Sequence, residues 1–94
     1  MSESERLPNR RGSLSFNFVH DGRAYHATAT HYTDGRLGEI FLDTDKVGSD
    51  VQQHAETTAV LASIALQHGV AVETLIHAVK GGPLAAALKL AVSA

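Results

Sequence analysis

The sequence predicts an α+β domain in which three antiparallel strands precede three helices. Between Ser13 and Asp43, apolar and polar residues alternate with the period of half-buried strands. From Val51 onward, apolar residues recur at the three- and four-residue spacing of amphipathic helices. Two Asp-Gly pairs interrupt the alternating part, as expected for strands that are joined in order by hairpins. Strands first and helices second, within 94 residues, indicate one α+β domain.

Turn residues divide the first half of the chain into an arm and three strands. Residues 1–12 are polar and include Pro8, so we expect an N-terminal arm followed by a single domain over residues 13–94. Asp21-Gly22 and Asp34-Gly35 supply the positive φ angles that tight hairpin turns need. The alternation beside these turns predicts strands over residues 13–20, 24–31 and 37–43. The first half is therefore predicted to be a three-stranded antiparallel β-meander.

The second half begins with one long helix. Ser49, with Gln52 three residues further on, has the spacing of a capping box, so the helix is expected to start there. Its apolar stripe widens after Val60 until it covers most of the circumference, which predicts that this half of the helix is central. Gly69 is placed to end the helix in the left-handed conformation.

Two shorter helices complete the predicted fold. One is expected over residues 72–80 and ends at Gly81-Gly82, and the last begins at Pro83, a residue favoured in the first helical turn. The apolar face of the last helix consists of Leu84, Ala87, Leu88 and Ala91. Because a small sheet is not stable alone, we expect the long helix to cover its apolar face.

Composition excludes several classes of function for this chain. It contains no cysteine, which excludes disulfides, thiolate nucleophiles, iron–sulfur clusters and cysteine zinc sites. The net charge of −2 argues against nucleic acid as a partner, because such binders carry a basic excess. No apolar run approaches the ~20 residues of a membrane span, so we expect a soluble cytoplasmic protein without a membrane partner.

The polar residues predict neither a metal site nor a catalytic one. Six histidines are present, but His26 and His31 have opposite parity on one strand, and His54 and His68 lie about 20 Å apart on one helix. No serine occupies a nucleophile elbow, and no histidine is tied to a positioned aspartate. We therefore expect a protein that is not an enzyme, with no catalytic residue, no metal and no cofactor.

Arginines supply the candidate ligand-binding residues. Arg10 and Arg11 on the arm and Arg36 beside a turn carry planar forks that match phosphate oxygens, and Glu39 could orient one of them. A purely structural alternative is that Arg10 or Arg11 fixes the arm to Glu39 or Asp34. We predict a site formed by Arg10, Arg11, Arg36 and Glu39, where the arm meets the second turn.

Three stretches of the chain resemble a known family. They are residues 7–11 (LPNRR), 32–42 (YTDGRLGEIFL) and 63–70 (SIALQHGV). Together they are similar to the TSCPD domain, the C-terminal module of adenosylcobalamin-dependent (class II) ribonucleotide reductases, which also occurs in short separate proteins. The run from Gly82 to Leu88 further resembles the ends of those short proteins. One departure is Ala71, which stands where a proline often follows the Gly-Val pair.

The resemblance implies a role near ribonucleotide reduction rather than the reaction itself. The large enzymes carry redox-active cysteines outside this module, and this chain has none, so the thiyl-radical chemistry is not expected here. The resemblance implies an accessory or regulatory binding module of bacterial or phage type. Its expected partner is a nucleotide-like ligand or a ribonucleotide reductase.

An alternative function is a protein–protein adaptor that acts as a homodimer through its C-terminal helices. An adaptor of this kind should expose a contiguous apolar patch on Leu84, Leu88 and Ala91. We expect a homodimer that covers either the last helix or an open edge strand of the sheet. If Leu84 and Leu88 instead close the core of a monomer, that patch is absent.

Overall fold

The predicted β-meander is confirmed. In the computed structural model, which describes residues 10–45 and 49–93 (only the main chain of residues 10 and 11), the sheet has the order β1-β2-β3. The strands are antiparallel and span β1 (Arg10–His20), β2 (Arg23–Tyr32) and β3 (Leu37–Thr44). Asp21 and Gly22 take φ angles of 54° and 76°, as a two-residue hairpin turn requires, and Gly35 takes 93°.

β1 begins three residues before the start that the alternation predicts. Arg10 pairs with Tyr32 and Gly12 pairs with His31, and the register shifts between the two pairs. The first three residues of the strand, Arg10-Arg11-Gly12, show no apolar alternation and so give no strand signal in the sequence. Backbone pairing with the end of β2 extends the strand over them. The rest of the predicted arm, residues 1–9, lies outside the described residues.

The three predicted helices are present as α1 (Asp50–Gln67), α2 (Val72–Ala78) and α3 (Pro83–Ser93). Ser49 is the N-cap of α1, and its Oγ accepts a hydrogen bond from the Gln52 N–H at 3.0 Å. Gly69 follows α1 with a φ of 89°, which confirms its role as the left-handed stop. No helix within the described ranges is long and apolar enough to cross a bilayer.

α1 and α3 together cover the apolar face of the sheet, which refines the expectation that the long helix covers it. α3 contacts all three strands and buries the four apolar residues predicted for it, whereas α1 packs mainly against β3. The buried side of α1 is narrow because it consists chiefly of alanines, which allow the helix to approach β3 closely. The core contains Tyr25, Ala27, Ala29, Ile40, Leu42, Ala55, Ala59, Ala62, Leu66, Leu84, Ala87, Leu88 and Ala91.

The prediction that the second half of α1 is central is wrong. Val60, Leu61 and Ile64 are 48%, 62% and 50% exposed, so the helix is buried on one side only. A wide apolar stripe predicts burial only where a second layer lies behind the helix. Within the described residues, no element packs behind this part of α1.

The apolar patch expected of an adaptor is also absent. Leu84, Leu88 and Ala91 are 3%, 0% and 1% exposed, because α3 lies on the sheet with this face inward. These side chains close the core of one chain and cannot contact a partner without unfolding. The adaptor hypothesis therefore has no exposed apolar patch at Leu84, Leu88 and Ala91 to support it.

α1 covers the outer edge of β3 through a buried serine. Ser63 Oγ accepts a hydrogen bond from the Ile40 N–H at 2.9 Å and donates one to the Ile40 carbonyl oxygen at 2.9 Å. Gln67 Nε2 donates to the Gly38 carbonyl oxygen at 3.3 Å on the same edge. Side chains of the helix thus satisfy main-chain groups that an edge strand would leave unpaired.

Candidate functional site

Arg36 is held in place by its own turn. The turn is closed by two main-chain bonds of 2.9 Å, from the Tyr32 N–H to the Arg36 carbonyl and from the Gly35 N–H to the Tyr32 carbonyl. Asp34 Oδ1 accepts from the Arg36 N–H at 3.0 Å, and Asp34 Oδ2 accepts from Arg36 Nε at 2.7 Å. The guanidinium carbon lies 4.8 Å from the centre of the Tyr32 ring. The ring and the carboxylate together fix the plane of the arginine fork.

The hydrogen bonds of this turn lower the pKa of Asp34. The hydrogen bond from the Arg36 main-chain N–H, followed by that from the Arg36 side chain, holds the pKa of Asp34 below its usual value of 3.8. Both side chains are about half exposed, at 53% and 55%, so water screens their ion pair. The pair therefore orients the guanidinium rather than adding much stability.

A cleft of about 650 Å³ opens beside the turn at this end of the sheet. Four parts of the chain form it: the start of β1, the β2–β3 turn, the α1–α2 connection and the end of α3. Its apolar wall includes Leu14, Leu37, Leu66, Val70 and Val72. Three glycines from separate segments, Gly12, Gly35 and Gly69, also line it.

The polar groups of the cleft come from β2, α2 and the turn. His31 Nε2 lies 3.3 Å from the Ala91 carbonyl oxygen, which requires the proton on Nε2 and ties the ring to the last turn of α3. Glu73 on α2 and Arg36 complete the ionisable lining. The cleft thus combines an apolar wall with a few oriented polar groups, as small-molecule sites do.

The predicted site residues lie at different places relative to the cleft. Arg36 lines the cleft, and the main chain of Arg10 lies opposite Tyr32, at the same end of the sheet. The side chains of Arg10 and Arg11 lie outside the described residues, so their predicted roles stay predictions. Glu39 pairs with Thr30, alternates in burial with its neighbour Ile40 and does not line the cleft. Its role in ligand binding also stays a prediction.

Sequence reasoning missed His31 and Glu73 as cleft residues. His31 was considered only for metal binding, and Glu73 lies on a helix whose position relative to the sheet the sequence does not reveal. The predicted separation of the strand histidines is confirmed, because His26 Nδ1 contacts Asn17 Oδ1 at 2.8 Å while His31 contacts α3. In the part of the chain that the structure describes, no three His, Asp or Glu side chains converge as metal ligands would.

Comparisons with known proteins agree with the resemblance. The TSCPD domain model matches residues 4–86. A vitamin B12-dependent ribonucleotide reductase of Bradyrhizobium diazoefficiens is 35% identical over 78 residues, which is 83% of this chain and 6% of that protein. The corresponding enzymes of Agrobacterium fabrum and Rhodopirellula baltica are 34% and 36% identical over 81% and 78% of this chain.

These matches concern one small part of each reductase. The chain spans 6% of the length of the Agrobacterium enzyme and 7% of that of the Rhodopirellula enzyme. No solved structure matches the chain. With most of its length matched by the family model and by relatives more than 30% identical, the chain belongs to the TSCPD domain family.

Proposed function

We propose that this chain is a non-catalytic accessory module of ribonucleotide reduction that binds a nucleoside phosphate in the cleft beside Arg36. The observation that carries the proposal is the fixed arginine fork at the rim of a partly apolar cleft. A volume of about 650 Å³ lies within the range of roughly 300–1,000 Å³ that small-molecule sites occupy. The relatives are named ribonucleotide reductases, which supports a nucleotide as the ligand class.

The two halves of such a ligand match the two kinds of surface in the cleft. The phosphate would accept hydrogen bonds from the Arg36 guanidinium, whose orientation Asp34 and Tyr32 already fix. The base and sugar would lie against the apolar wall, near the His31 ring. Arg10 and Arg11 precede the cleft residue Gly12, and we assign them to further phosphate contacts. Their charge would offset that of Asp34 and Glu73.

The absence of a catalytic role is part of the proposal. The matched segment is a small fraction of each reductase, and the chain carries no cysteine to supply a thiyl radical or a dithiol. The turn and cleft offer hydrogen bonds, charge and apolar contact, which suffice for binding. A module of this kind would report nucleotide levels to the reaction rather than perform it.

A thermal-shift screen with nucleoside mono-, di- and triphosphates tests the proposal. At a hundredfold excess over its dissociation constant, a ligand adds about 2.7 kcal/mol, which should raise the Tm by about ten degrees or more. Arg36→Gln should abolish most of the shift. Arg23→Gln is the matched control, because Arg23 also adjoins a hairpin turn but lies at the opposite end of the sheet. No shift with any nucleotide, or an equal shift in both variants, contradicts the proposal.

A second candidate function rests on the exposed apolar side of α1. Leu61 and Ile64 lie one turn apart, with Val60 beside them, and all three are about half exposed or more. We propose that this surface would contact a ribonucleotide reductase if the module acts through that protein. Leu61→Lys should then weaken binding to the purified vitamin B12-dependent enzyme at least tenfold. Leu90→Lys, at an exposed position of α3, should leave it unchanged.

A further inference from the structure

We propose that two copies of this chain pair through the outer edges of their β1 strands, forming one six-stranded antiparallel sheet across a two-fold axis. β1 is an edge strand of 11 residues. Among the described residues, no hydrogen bond from another element reaches its outer main-chain groups. This inference is argued from the strand edge and not from the proposed ligand, although Leu14 belongs both to that strand and to the wall of the cleft.

The hydrogen bonds of Ser63 establish which groups of β1 point outward. They show that the Ile40 main chain faces away from β2, so Ile40 and its register partner Ala29 form a non-hydrogen-bonded pair. Main-chain direction alternates along each strand, so Ala29 must bond instead to Leu14, its partner on β1. The N–H and C=O groups that face outward on β1 therefore belong to Ser13, Ser15, Asn17 and Val19.

The two edges of the sheet differ in a way that indicates pairing at β1. Natural edge strands are protected by charged side chains, proline or a covering element. β3 has two such protections, because α1 covers it and it carries Glu39 and Asp43. Residues 12–20 of β1 contain neither a charge nor a proline. The part of the edge that follows Arg10, Arg11 and the register shift is uncharged and suited to pair with another strand.

The sequence of β1 is complementary to itself. With Phe16 on the two-fold axis, Ser13 lies opposite Val19 of the partner subunit, and Ser15 lies opposite Asn17 of the partner subunit. This register pairs every outward main-chain group, which gives about eight hydrogen bonds, two for each of four pairs. It preserves the faces of the sheet, because each residue lies opposite one of the same parity.

The apolar face of β1 carries side chains that would become buried against a second copy. Leu14 is 36% exposed, and Phe16 and Phe18 are only partly buried, because no strand among the described residues lies beyond them. In the proposed register Leu14 meets the partner's Phe18, and the two Phe16 rings meet at the axis. Such aromatic and aliphatic cross-strand pairs at non-hydrogen-bonded positions are the closest in an antiparallel sheet.

The oligomeric state and one designed pair of variants test the proposal. Light scattering should give twice the 10.0 kDa of one chain for the wild type and for Ser15→Ala. Ser15→Pro should give a folded monomer, because the N–H that it removes faces outward and a proline is tolerated there only in an unpaired edge. We expect its dimer dissociation constant to rise at least ~100-fold. Val19→Lys, at a position 71% exposed, gives a second disruption should the proline variant not fold.

Amide hydrogen exchange gives a readout that a different interface would not change. In the dimer, the amides of Ser13, Ser15 and Asn17 should exchange slowly and should lose this protection on dilution. The amides of Leu14, Phe16 and Phe18 are internal controls, since they bond to β2 in either state. A single-chain mass at about 1 mM protein, or a dimer whose outward β1 amides exchange fast, overturns the proposal.

Discussion

Replacing Ser63 by alanine tests the link between α1 and the edge of β3. Ser63 Oγ makes two hydrogen bonds of 2.9 Å to the Ile40 main chain, and the two residues are 6% and 0% exposed. Ser63→Ala deletes both bonds and leaves an N–H and a C=O group buried without a partner. Water cannot replace the hydroxyl unless the helix moves away from the strand.

The magnitude follows from these two orphaned groups. A lost hydrogen bond costs about 1 kcal/mol, and a buried donor or acceptor without a partner costs about 1–3 kcal/mol. Alanine is a better helix former than serine, which returns up to about 0.5 kcal/mol at this position. We expect Ser63→Ala to lower the free energy of unfolding by about 2–4 kcal/mol, or the Tm by roughly 10–25 °C.

Urea unfolding followed by circular dichroism measures this difference, with Ser15→Ala as the control. Ser15 Oγ also makes a hydroxyl bond, to Thr28 Oγ1 at 3.2 Å, but it is exposed on the outer face of the sheet. Water replaces that bond, so the control should lose less than about 0.5 kcal/mol. A loss below about 1 kcal/mol in Ser63→Ala would refute the reasoning, because the edge of β3 would then not depend on the serine.

Three further tests concern the turn and the core. Gly35 has a φ of 93°, so Gly35→Val should lower the free energy of unfolding by about 1–3 kcal/mol. Gly35→Asn should cost less, since asparagine tolerates positive φ. Equal losses of the two variants in urea unfolding would contradict this. The pKa of Asp34, measured by carbon NMR, should rise only part of the way to 3.8 in Arg36→Gln, because the main-chain N–H of residue 36 remains. Because the pKa of Asp34 is lower in the folded state than in the unfolded state, its contribution to stability is present above about pH 4. That contribution is lost as the pH falls through the folded pKa. An unchanged pKa of Asp34 in Arg36→Gln would contradict the assignment. Leu88 is 0% exposed, and Leu88→Ala should cost about 2–5 kcal/mol of stability. Leu90 is 43% exposed, and Leu90→Ala should cost less than about 1 kcal/mol. Similar losses in the two variants would contradict the placement of α3 with Leu88 inward.

The boundaries of most elements were predictable from local chemistry. Asp21-Gly22 defines a turn because few other pairs accept two positive φ angles, and Ser49 and Pro83 mark helix starts through their own hydrogen bonding and ring geometry. Such signals act within a few residues of the chain. They therefore predict turns and helix starts correctly even when the packing of the other elements is unknown.

The arrangement of the helices was not predictable in the same way. The wide apolar stripe of α1 predicted burial on all sides, yet Leu61 is 62% exposed, because α1 lies beside β3 and not between two layers. Periodicity shows which residues share a face but not how many layers the domain has. The position of Ser63 at the strand edge depends on this arrangement and has no local signal.

The candidate site was predictable only in part. Arg36 was identified because an arginine beside a turn offers a phosphate-binding fork, and the structure places it at the cleft. The sequence predicts that Glu39 orients an arginine fork, but Glu39 does not line the cleft, because strand alternation places it on another side from Ile40. Gly12, Gly35 and Gly69 belong to three separate segments that meet only in the folded chain, so their shared place in the cleft had no local signal.

The most direct test of nucleotide binding at the cleft is a titration followed by nitrogen-15 NMR, with the glycine amides as reporters. Gly12, Gly35 and Gly69 line the cleft, whereas Gly22 and Gly81 lie at the opposite end of the sheet, where His20 Nε2 contacts the Gly81 carbonyl at 3.1 Å. The proposed function predicts that a nucleoside triphosphate shifts the three cleft amides and leaves the other two unmoved. Shifts confined to Gly22 and Gly81, or no shifts at saturating nucleotide, would contradict it.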